Sequence, residues 1–419
     1  MNILHLDTYT EKSNLSWPHY NMHKELLRQG HNSIILSAKG DVEEKEIIIL
    51  NRGSILPYFG ISRFVRKIFF EIVKKNKDNY FYPGWNLDFI KAKQIYEKVP
   101  FKPDIIITYW TEFAFNERLI YKLSKRYNAP VLCFLLDMAP MTGGCHYAFE
   151  CTSYQEKCGK CPALRSKKEN DISRKTWNFK DEYINKTNIS YIACSSTLVT
   201  QASKSSLIKN KKIYKLMLGV NEDIFRPQDK EKAKIDFGIS NDKKVIFFGA
   251  ASLSEKRKGF SYLIEALEIL AKQTKQDNII ILVAGKNIGE LNIPFKYKYL
   301  GYLKNEEELA KAYQASDLFV CPSLEDSGPM MINQAVMSGR PVVSFDMGVA
   351  PDLVHTGKTG YRAKLKDTTD FARGIEMILN LSEDQWIEMS KNCRKLAFES
   401  CALSNQTDRL HEIIGKIIK

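Results

Sequence analysis

The sequence predicts an α/β protein made of two doubly wound parallel sheets. Apolar strand-like runs alternate with segments of helical periodicity in both halves of the chain, and this alternation is typical of parallel sheets with helices on both faces. The length of 419 residues is that of two or three domains. We therefore expect two such domains that face each other across a cleft, where a ligand binds.

The amino-terminal half supplies the first set of elements. Its apolar runs predict strands at Ile3–Leu6, Ser33–Leu36, Ile105–Thr108, Val131–Leu136 and Tyr191–Cys194. Apolar residues at helical spacing predict helices at Pro18–Gln29 and Glu117–Tyr127.

The carboxyl-terminal half repeats the pattern. Its predicted strands are Lys244–Phe248, Ile279–Val283, Tyr297–Gly301, Leu318–Cys321 and Val342–Phe345. Its predicted helices are Tyr262–Gln273, Glu306–Ala315 and Met330–Met337. The boundary between the halves is expected near Lys215–Pro227, which gives domains at residues 1–215 and 216–400. Residues 401–419 form an amphipathic last helix, a candidate for crossing back to the amino-terminal domain.

Composition favours a globular protein with an anionic partner. The chain carries a formal net charge of +13, with 44% hydrophobic residues. It has no apolar run long enough for a transmembrane helix, and Met1–Leu6 resembles a strand rather than a signal peptide, so a cytoplasmic location is expected. Part of the positive charge lies in residues 61–82, which have helical apolar spacing. This segment is either a surface helix of its own domain or a peripheral contact with the anionic inner face of a membrane.

A carboxylate at the end of a strand marks the expected ligand site. Glu325 follows the predicted strand Leu318–Cys321 and precedes the predicted helix Met330–Met337. Ligands of open parallel sheets bind at the carboxyl ends of strands, and the amides that open a helix suit an anion such as a diphosphate. The alternative is an ordinary strand–helix crossover with an exposed glutamate.

Six groups of residues, in order along the chain, resemble the motifs of retaining glycosyltransferases of family 4. They are residues 219–227, Phe248–Gly249 with Lys258–Gly259, residues 300–303 with Tyr313 to Asp317, residues 322–325, Gly339 to Val342 and Gly357 to Gly360. The resemblance implies the GT-B architecture of two Rossmann-like domains. It covers the carboxyl-terminal half closely and the amino-terminal half loosely.

The resemblance assigns donor-binding roles in the carboxyl-terminal half. Lys258 matches a lysine that neutralises the diphosphate of a nucleotide sugar, and a cation there stabilises the charge that grows on the leaving group. Arg257 is the candidate for an arginine that the family places earlier in the loop. Glu325 matches a glutamate that contacts the hydroxyls of the donor sugar. Further donor-binding residues are expected at Gly249, Gly301, Tyr302, Leu303, Ser327, Gly328, Pro329, Met330 and Asn333.

Two positions depart from the family pattern. Asn333 stands where the family has a second glutamate that holds the ribose; an amide oxygen can still accept a hydroxyl hydrogen bond, although without charge. In the amino-terminal half, Leu136 stands where related chains often have a histidine. Asp137 and His146 are therefore the candidates for contact with the donor sugar or the acceptor hydroxyl. The resemblance implies front-face substitution with retention, and without an Asp-x-Asp motif we expect no catalytic metal.

Four of the nine cysteines fall in one short segment. Cys145, Cys151, Cys158 and Cys161 lie within residues 143–164, a loop that resembles one in a bacterial polysaccharide-making branch of the family. In a cytoplasmic chain such a cluster is more typical of metal binding than of disulfides. Four thiolates suit a closed tetrahedral zinc site of structural type. Disulfides and free thiols are the alternatives.

Three classes of function are compared. The first is transfer of a sugar from a nucleotide-diphosphate sugar to a glycan or lipid-linked oligosaccharide, in the synthesis of a bacterial capsule or O-antigen. The second is a nucleotide-sugar 2-epimerase of the same architecture, which needs an amino-terminal set of acidic and histidine residues that the sequence does not display convincingly. The third is a nucleic-acid-binding module, which needs basic and aromatic residues interleaved on one face. The basic residues here are scattered, so nucleic acid is not an expected partner.

Overall fold

Two parallel sheets organise the chain, one in each of two units. The computed structural model describes residues 1–12, 18–50, 72–75, 80–81, 90–274, 276–286 and 289–418. Unit 1 comprises Met1–Cys194, Leu198–Leu216 and Thr407–Lys419, and unit 2 comprises Ser195–Thr197 and Met217–Gln406.

The sheet of unit 1 has seven parallel strands in the order β3-β2-β1-β4-β5-β6-β7. The strands are β1 Asn2–Thr10, β2 Asn32–Gly40, β3 Ile47–Ile49, β4 Ile105–Thr108, β5 Val131–Leu135, β6 Ile189–Ala193 and β7 Ile213–Lys215. The order reverses direction between β1 and β4, which pair directly. In open sheets this reversal leaves a crevice at the carboxyl ends of the strands.

Helices of unit 1 cover the sheet with apolar stripes. They are α1 Pro18–Arg28, α2 Ala92–Tyr96, α3 Glu117–Tyr127, α4 Ile172–Lys186 and α5 Ser196–Lys204, the last of which begins in unit 2. Helix α3 shows why such segments are helical. The side chain of Asn116 caps its first turn by accepting from the Leu119 amide at 2.9 Å. Its end at Asn128 is left-handed, with φ of 52°. Leu119 and Leu123 are buried between these limits.

The sheet of unit 2 has six parallel strands in the order β10-β9-β8-β11-β12-β13. They are β8 Lys244–Ser252, β9 Ile279–Lys286, β10 Lys296–Gly301, β11 Leu318–Cys321, β12 Val342–Phe345 and β13 Gly360–Ala363. The helices are α6 Lys230–Asp236, α7 Phe260–Ala271, α8 Glu306–Ala315, α9 Met330–Met337, α10 Ala350–Leu353, α11 Thr368–Leu379, α12 Glu383–Cys401 and α13 Leu403–Ile418. A single apolar cluster fills the space between this sheet and its helices. Strands β8 and β11 are the two central strands of the sheet. Their carboxyl ends carry the predicted site residues.

Helix α13 begins in unit 2 and belongs to unit 1 from Thr407 onward. At its start, the carboxylate of Glu222 accepts hydrogen bonds from the Leu403 amide and the Ser404 hydroxyl. Farther along, the Gln29 side chain donates to Asp408 at 2.9 Å. The Nε2 atom of His31 lies 3.1 Å from the Nδ1 atom of His411.

The predicted α/β class with two parallel sheets is confirmed. Apart from the predicted basic helix at 61–82, each predicted strand and helix is present, and β4, β11, β12, α3, α8 and α9 have the predicted bounds. Strands β3, β7 and β13 are not among the predicted strands: β3 and β7 have only three residues each, and β13 has the sequence Gly-Tyr-Arg-Ala, which is not an apolar run. Strand β8 also runs past its predicted end to Ser252, through a register shift that begins at Gly249.

Membrane features are limited to what the described residues show. Among them, no helix is both long and apolar enough to cross a bilayer. Most of the predicted basic helix at 61–82 lies outside the described residues. Of that segment, Phe81 forms an isolated antiparallel bridge with Cys145.

Candidate functional site

Two loops of unit 2 are pressed together at the carboxyl ends of β8 and β11. The first loop runs from Leu253 to Gly259 and the second from Pro322 to Pro329. The Leu324 amide donates to the Arg257 carbonyl at 2.8 Å. Gly259 has φ of +70°, and a Cβ at this position would lie 1.8 Å from the Pro322 carbonyl oxygen. Because only glycine allows this approach, the sequence Lys258–Gly259 brings its cation next to the loop that contains Glu325.

Arg257 is a buried clamp between the two loops. Residues 256–258 form a 3₁₀ turn, and the Arg257 side chain is 7% exposed. Its Nε and Nη2 donate to Glu255 Oε1 at 2.9 and 2.7 Å. Its Nη1 donates to the Glu325 carbonyl at 2.9 Å and to Asp326 Oδ2 at 2.7 Å. These bonds direct the guanidinium into the protein, where it fixes the second loop.

Lys258 shares the same carboxylate. Its Nζ donates to Asp326 Oδ2 at 2.6 Å, and the lysine side chain is 20% exposed. Burial opposes the charge on Asp326, but the positive charges of Lys258 and Arg257 outweigh burial and lower the pKa of Asp326 to about 2. Asp326 is therefore ionised at neutral pH. Asp326 is not among the site residues predicted from the sequence, although it stands directly beside Glu325.

The second loop leads directly into helix α9. Glu325 is half-buried, and the Ser327 carbonyl accepts a hydrogen bond from the Ser195 hydroxyl of the same unit at 2.6 Å. Pro329 precedes the first helical residue, Met330. The helix therefore presents its first amides at the same sheet edge as Glu325.

Asn333 lies one turn into α9 and is buried. Its Nδ2 donates to the Leu218 carbonyl at 3.1 Å. Its Oδ1 is buried and has no hydrogen-bond partner among the described residues. A buried acceptor of this kind is costly unless a ligand or water supplies a donor.

The remaining predicted donor residues lie along the same sheet edge. A Cβ on Gly249 would lie 2.4 Å from the Met331 methyl carbon, so β8 and α9 approach closely at this glycine. Gly301 ends β10, two strands from β8, with φ of +70° and open space around it. Tyr302 follows it with 43% exposure. The Lys286 ammonium lies 5.0 Å from the Tyr302 ring centroid.

Asp137 and His146 form a buried pair in unit 1. His146 Nδ1 lies 2.6 Å from Asp137 Oδ2, and the Ala139 amide donates to the other carboxylate oxygen at 2.7 Å. Burial lowers the pKa of His146, but Asp137 and then Glu112 outweigh burial and raise it overall. Both residues are predicted from the sequence as site residues, but the contact between them is not.

Lys180 extends this cluster. Its Nζ is buried, donates to the Ala139 carbonyl at 2.7 Å, and lies 3.7 Å from Glu112 and 3.6 Å from Glu117. Burial lowers the pKa of Lys180, and the glutamates raise it above its usual value. Glu112 and Lys180 were not identified from the sequence, because their meeting depends on how β4 and α4 pack.

The four clustered cysteines line one cavity of unit 1. All four are free thiols, and all four contribute to the cavity wall. The Gly143 amide donates to Cys158 Sγ at 3.3 Å. Within the described ranges, however, no three His, Cys, Asp or Glu side chains are arranged to hold a metal ion.

Solved structures of other proteins share the fold of this chain. Sucrose-phosphate synthase from Thermosynechococcus elongatus superposes with a TM-score of 0.70 at 14% identity, over 100% of this chain and 99% of that one. Anabaena Alr3699/HepE in complex with UDP-glucose superposes with a TM-score of 0.63 at 14% identity, over 99% of this chain and 100% of that one. The fold is GT-B.

The sequence match is confined to part of the chain. Residues 229–399 match the family model described as glycosyl transferases group 1. A D-inositol 3-phosphate glycosyltransferase of Corynebacterium aurimucosum is 27% identical over 177 residues, which are 39% of this chain and 42% of that protein. The aligned segment thus spans well under half of this curated relative. The segment that matches the family model includes Lys258, Glu325 and Asn333.

Proposed function

We propose that the protein is a retaining glycosyltransferase that moves a sugar from a nucleotide-diphosphate sugar to a glycan or lipid-linked acceptor. The observation that carries the proposal is the pairing of the Lys258 turn with the Glu325 loop at the carboxyl ends of β8 and β11. This pairing lies inside the segment that matches the family model. It combines a cation, a carboxylate and the start of a helix, which suit a diphosphate and a sugar.

Each donor group has a chemically matched residue in this proposal. The Lys258 ammonium contacts the diphosphate oxygens, together with the first amides of α9. Glu325 accepts hydrogen bonds from sugar hydroxyls. The buried oxygen of Asn333 accepts from a ribose hydroxyl, which would satisfy an acceptor that has no partner among the described residues. Arg257 positions the loop and does not itself contact the donor, because its guanidinium bonds point into the protein.

The proposed reaction is a front-face substitution. The bond between the anomeric carbon and the phosphate oxygen breaks, and the acceptor oxygen bonds to the same face of the sugar. The acceptor proton passes to the departing phosphate oxygen, so the products are a glycoside and a nucleoside diphosphate. Lys258 stabilises the negative charge that grows on the leaving diphosphate. Asp137 and His146 are proposed to contact the donor sugar or the acceptor from the amino-terminal domain, and no catalytic metal is required.

The first test is a thermal-shift panel with UDP, GDP, ADP, CMP and their sugars. UDP-glucose leads the panel because it is bound in the HepE structure. A ligand at about 100 times its dissociation constant adds about 2.7 kcal/mol of stability. Stabilisation by one nucleotide family names the donor base. A flat response to the whole panel would contradict the proposal.

Product analysis then separates transfer from epimerisation. A 2-epimerase of this architecture converts the nucleotide sugar without an acceptor, whereas a transferase gives a glycoside only when an acceptor is present. The role in capsule or O-antigen synthesis, on a lipid-linked acceptor at the inner membrane face, rests on the resemblance of the cysteine-rich loop. Contact of residues 61–82 with an anionic membrane is part of the same proposal.

A structural zinc ion is proposed for the cysteine cluster. The proposal rests on four thiols that line one cavity and whose chemistry suits zinc. In the described residues they are not arranged as a metal site, so ligation requires them to turn toward a common point. Replacing Cys158 and Cys161 together with Ser is expected to remove one equivalent of zinc, measured by elemental analysis, and to lower Tm. A zinc-free wild-type preparation of equal stability contradicts the proposal.

A matched control uses a cysteine outside the cluster. Cys194 is buried and its thiol donates to the Leu135 carbonyl, a bond that a serine hydroxyl can keep. Cys194→Ser is expected to leave the zinc content unchanged.

A further inference from the structure

The Asp326 carboxylate is hydrogen-bonded to the Lys258 ammonium, which is the cation that the proposed donor diphosphate needs. We propose that Asp326 is a built-in competitor for the Lys258 ammonium, and that the diphosphate binds by replacing Asp326 on that ammonium. The inference rests on the proposed function, since it concerns the same donor site. It makes Asp326 a residue that sets donor affinity and favours ligands with two linked phosphates.

Arg257 and Lys258 of the first loop are already bonded to carboxylates. Arg257 is bonded to Glu255 and Asp326, and Lys258 is bonded to Asp326. Asp326 is charged at neutral pH, because the cations of Lys258 and Arg257 lower its pKa to about 2. A diphosphate therefore approaches a lysine whose charge is compensated from within the protein. If an uncharged residue stood in place of Asp326, the positive charge of Lys258 would be available to the diphosphate.

The two cations differ in how readily they can change partner. The guanidinium of Arg257 is 7% exposed and joins Glu255, the Glu325 carbonyl and Asp326 at once. Lys258 is more exposed, at 20%, and its ammonium is a point charge on a flexible stem with three donors. Lys258 can therefore turn to a phosphate while Arg257 continues to hold Asp326. A single phosphate competes less well with the carboxylate than two linked phosphates do.

The deciding experiment is calorimetric titration of Asp326→Asn. Asparagine has the shape of aspartate and keeps an acceptor oxygen for both cations, so the substitution removes mainly the charge. UDP and inorganic pyrophosphate are expected to bind about tenfold more tightly than to wild type, which is about 1.4 kcal/mol. Uridine, which has no phosphate, is expected to bind as it does to wild type.

A double-mutant cycle shows whether the gain acts through Lys258. In the Lys258→Ala background, adding Asp326→Asn is expected to give no further gain for UDP. A gain that persists there would mean that Asp326 only repels the ligand at a distance, and it would overturn the inference. Equal or weaker UDP binding by Asp326→Asn alone would also overturn it. If Asp326→Asn does not fold, Asp326→Ser removes the same charge and is judged by the same criteria.

The matched control lies at the other end of β11. Asp317 is also a buried aspartate with two cationic partners, Lys230 at 2.9 Å and Lys234 at 3.4 Å. Asp317→Asn is expected to change Tm without changing the affinity for UDP. If neither wild type nor any variant binds UDP, GDP, ADP or pyrophosphate, the donor site itself is refuted. Failure of the inference alone gives a different result: wild type binds UDP, and Asp326→Asn binds it with equal or lower affinity.

Discussion

Lys258→Ala is expected to lower kcat/KM for glycosyl transfer by about 10²–10³-fold, the size seen when one preorganised stabiliser of transition-state charge is removed. The lysine charge counters the charge that develops on the leaving diphosphate, and the adjacent Arg257 cannot replace it because its guanidinium is bonded inward. The fold should persist, since Arg257 still neutralises Asp326. Steady-state kinetics and a melting curve measure the two effects.

Lys256→Ala is the control for Lys258→Ala. Lys256 lies two residues away in the same turn and is exposed, so the control makes the same change in net charge at an exposed position. Its turnover is expected to stay close to wild type. Near-normal turnover of Lys258→Ala would remove this lysine from the proposed mechanism.

Gly259→Ala is expected to abolish detectable nucleotide binding and to lower stability. The left-handed backbone at Gly259 alone costs an alanine about 1–2 kcal/mol. The new methyl would also lie 1.8 Å from the Pro322 carbonyl oxygen, so the loops must separate. Separation breaks the hydrogen bond from the Leu324 amide to the Arg257 carbonyl and displaces Lys258 from Asp326. Melting curves and UDP titration measure the result.

Gly357→Ala isolates the backbone part of that effect. Gly357 has a similar φ of +79°, and nothing lies within 4 Å of the position its Cβ would take. It should therefore show the cost of the left-handed conformation without the clash, and it should bind UDP normally. If Gly259→Ala matches Gly357→Ala in both Tm and UDP affinity, close contact of the two loops is not needed for the site.

Local pattern sufficed for the elements that frame the site. Strands β11 and β12 and helix α9 were predicted with their observed bounds, because apolar runs there are bounded by glycine, proline and aspartate. The short strand β13 was missed although it pairs with β12. Strands β11 and β12 also have four residues, but all of theirs are buried, whereas the Gly-Tyr-Arg-Ala sequence of β13 is not an apolar run. Pairing with a neighbour, not local preference, makes β13 a strand.

The partners of side chains were less accessible from the sequence. Lys258 and Glu325 were assigned by motif, but the role of Asp326 depends on two loops 60–70 positions apart meeting at the distance that Gly259 permits. Likewise, Asp137 and His146 were named separately, and their pairing with Lys180 nearby depends on how α4 packs. Spacing along the chain carries no information on which loops touch.

The passage of helix α13 from one unit to the other has a consequence for biosynthesis. Residues from Thr407 onward complete unit 1, yet they emerge from the ribosome after all of unit 2. Gln29 and His31, just after the end of α1, therefore lack their partners Asp408 and His411 during most of translation. Such late, long-range closure slows folding and leaves apolar surface open in the nascent chain. We accordingly expect chaperones to bind mainly the amino-terminal portion of the newly made protein.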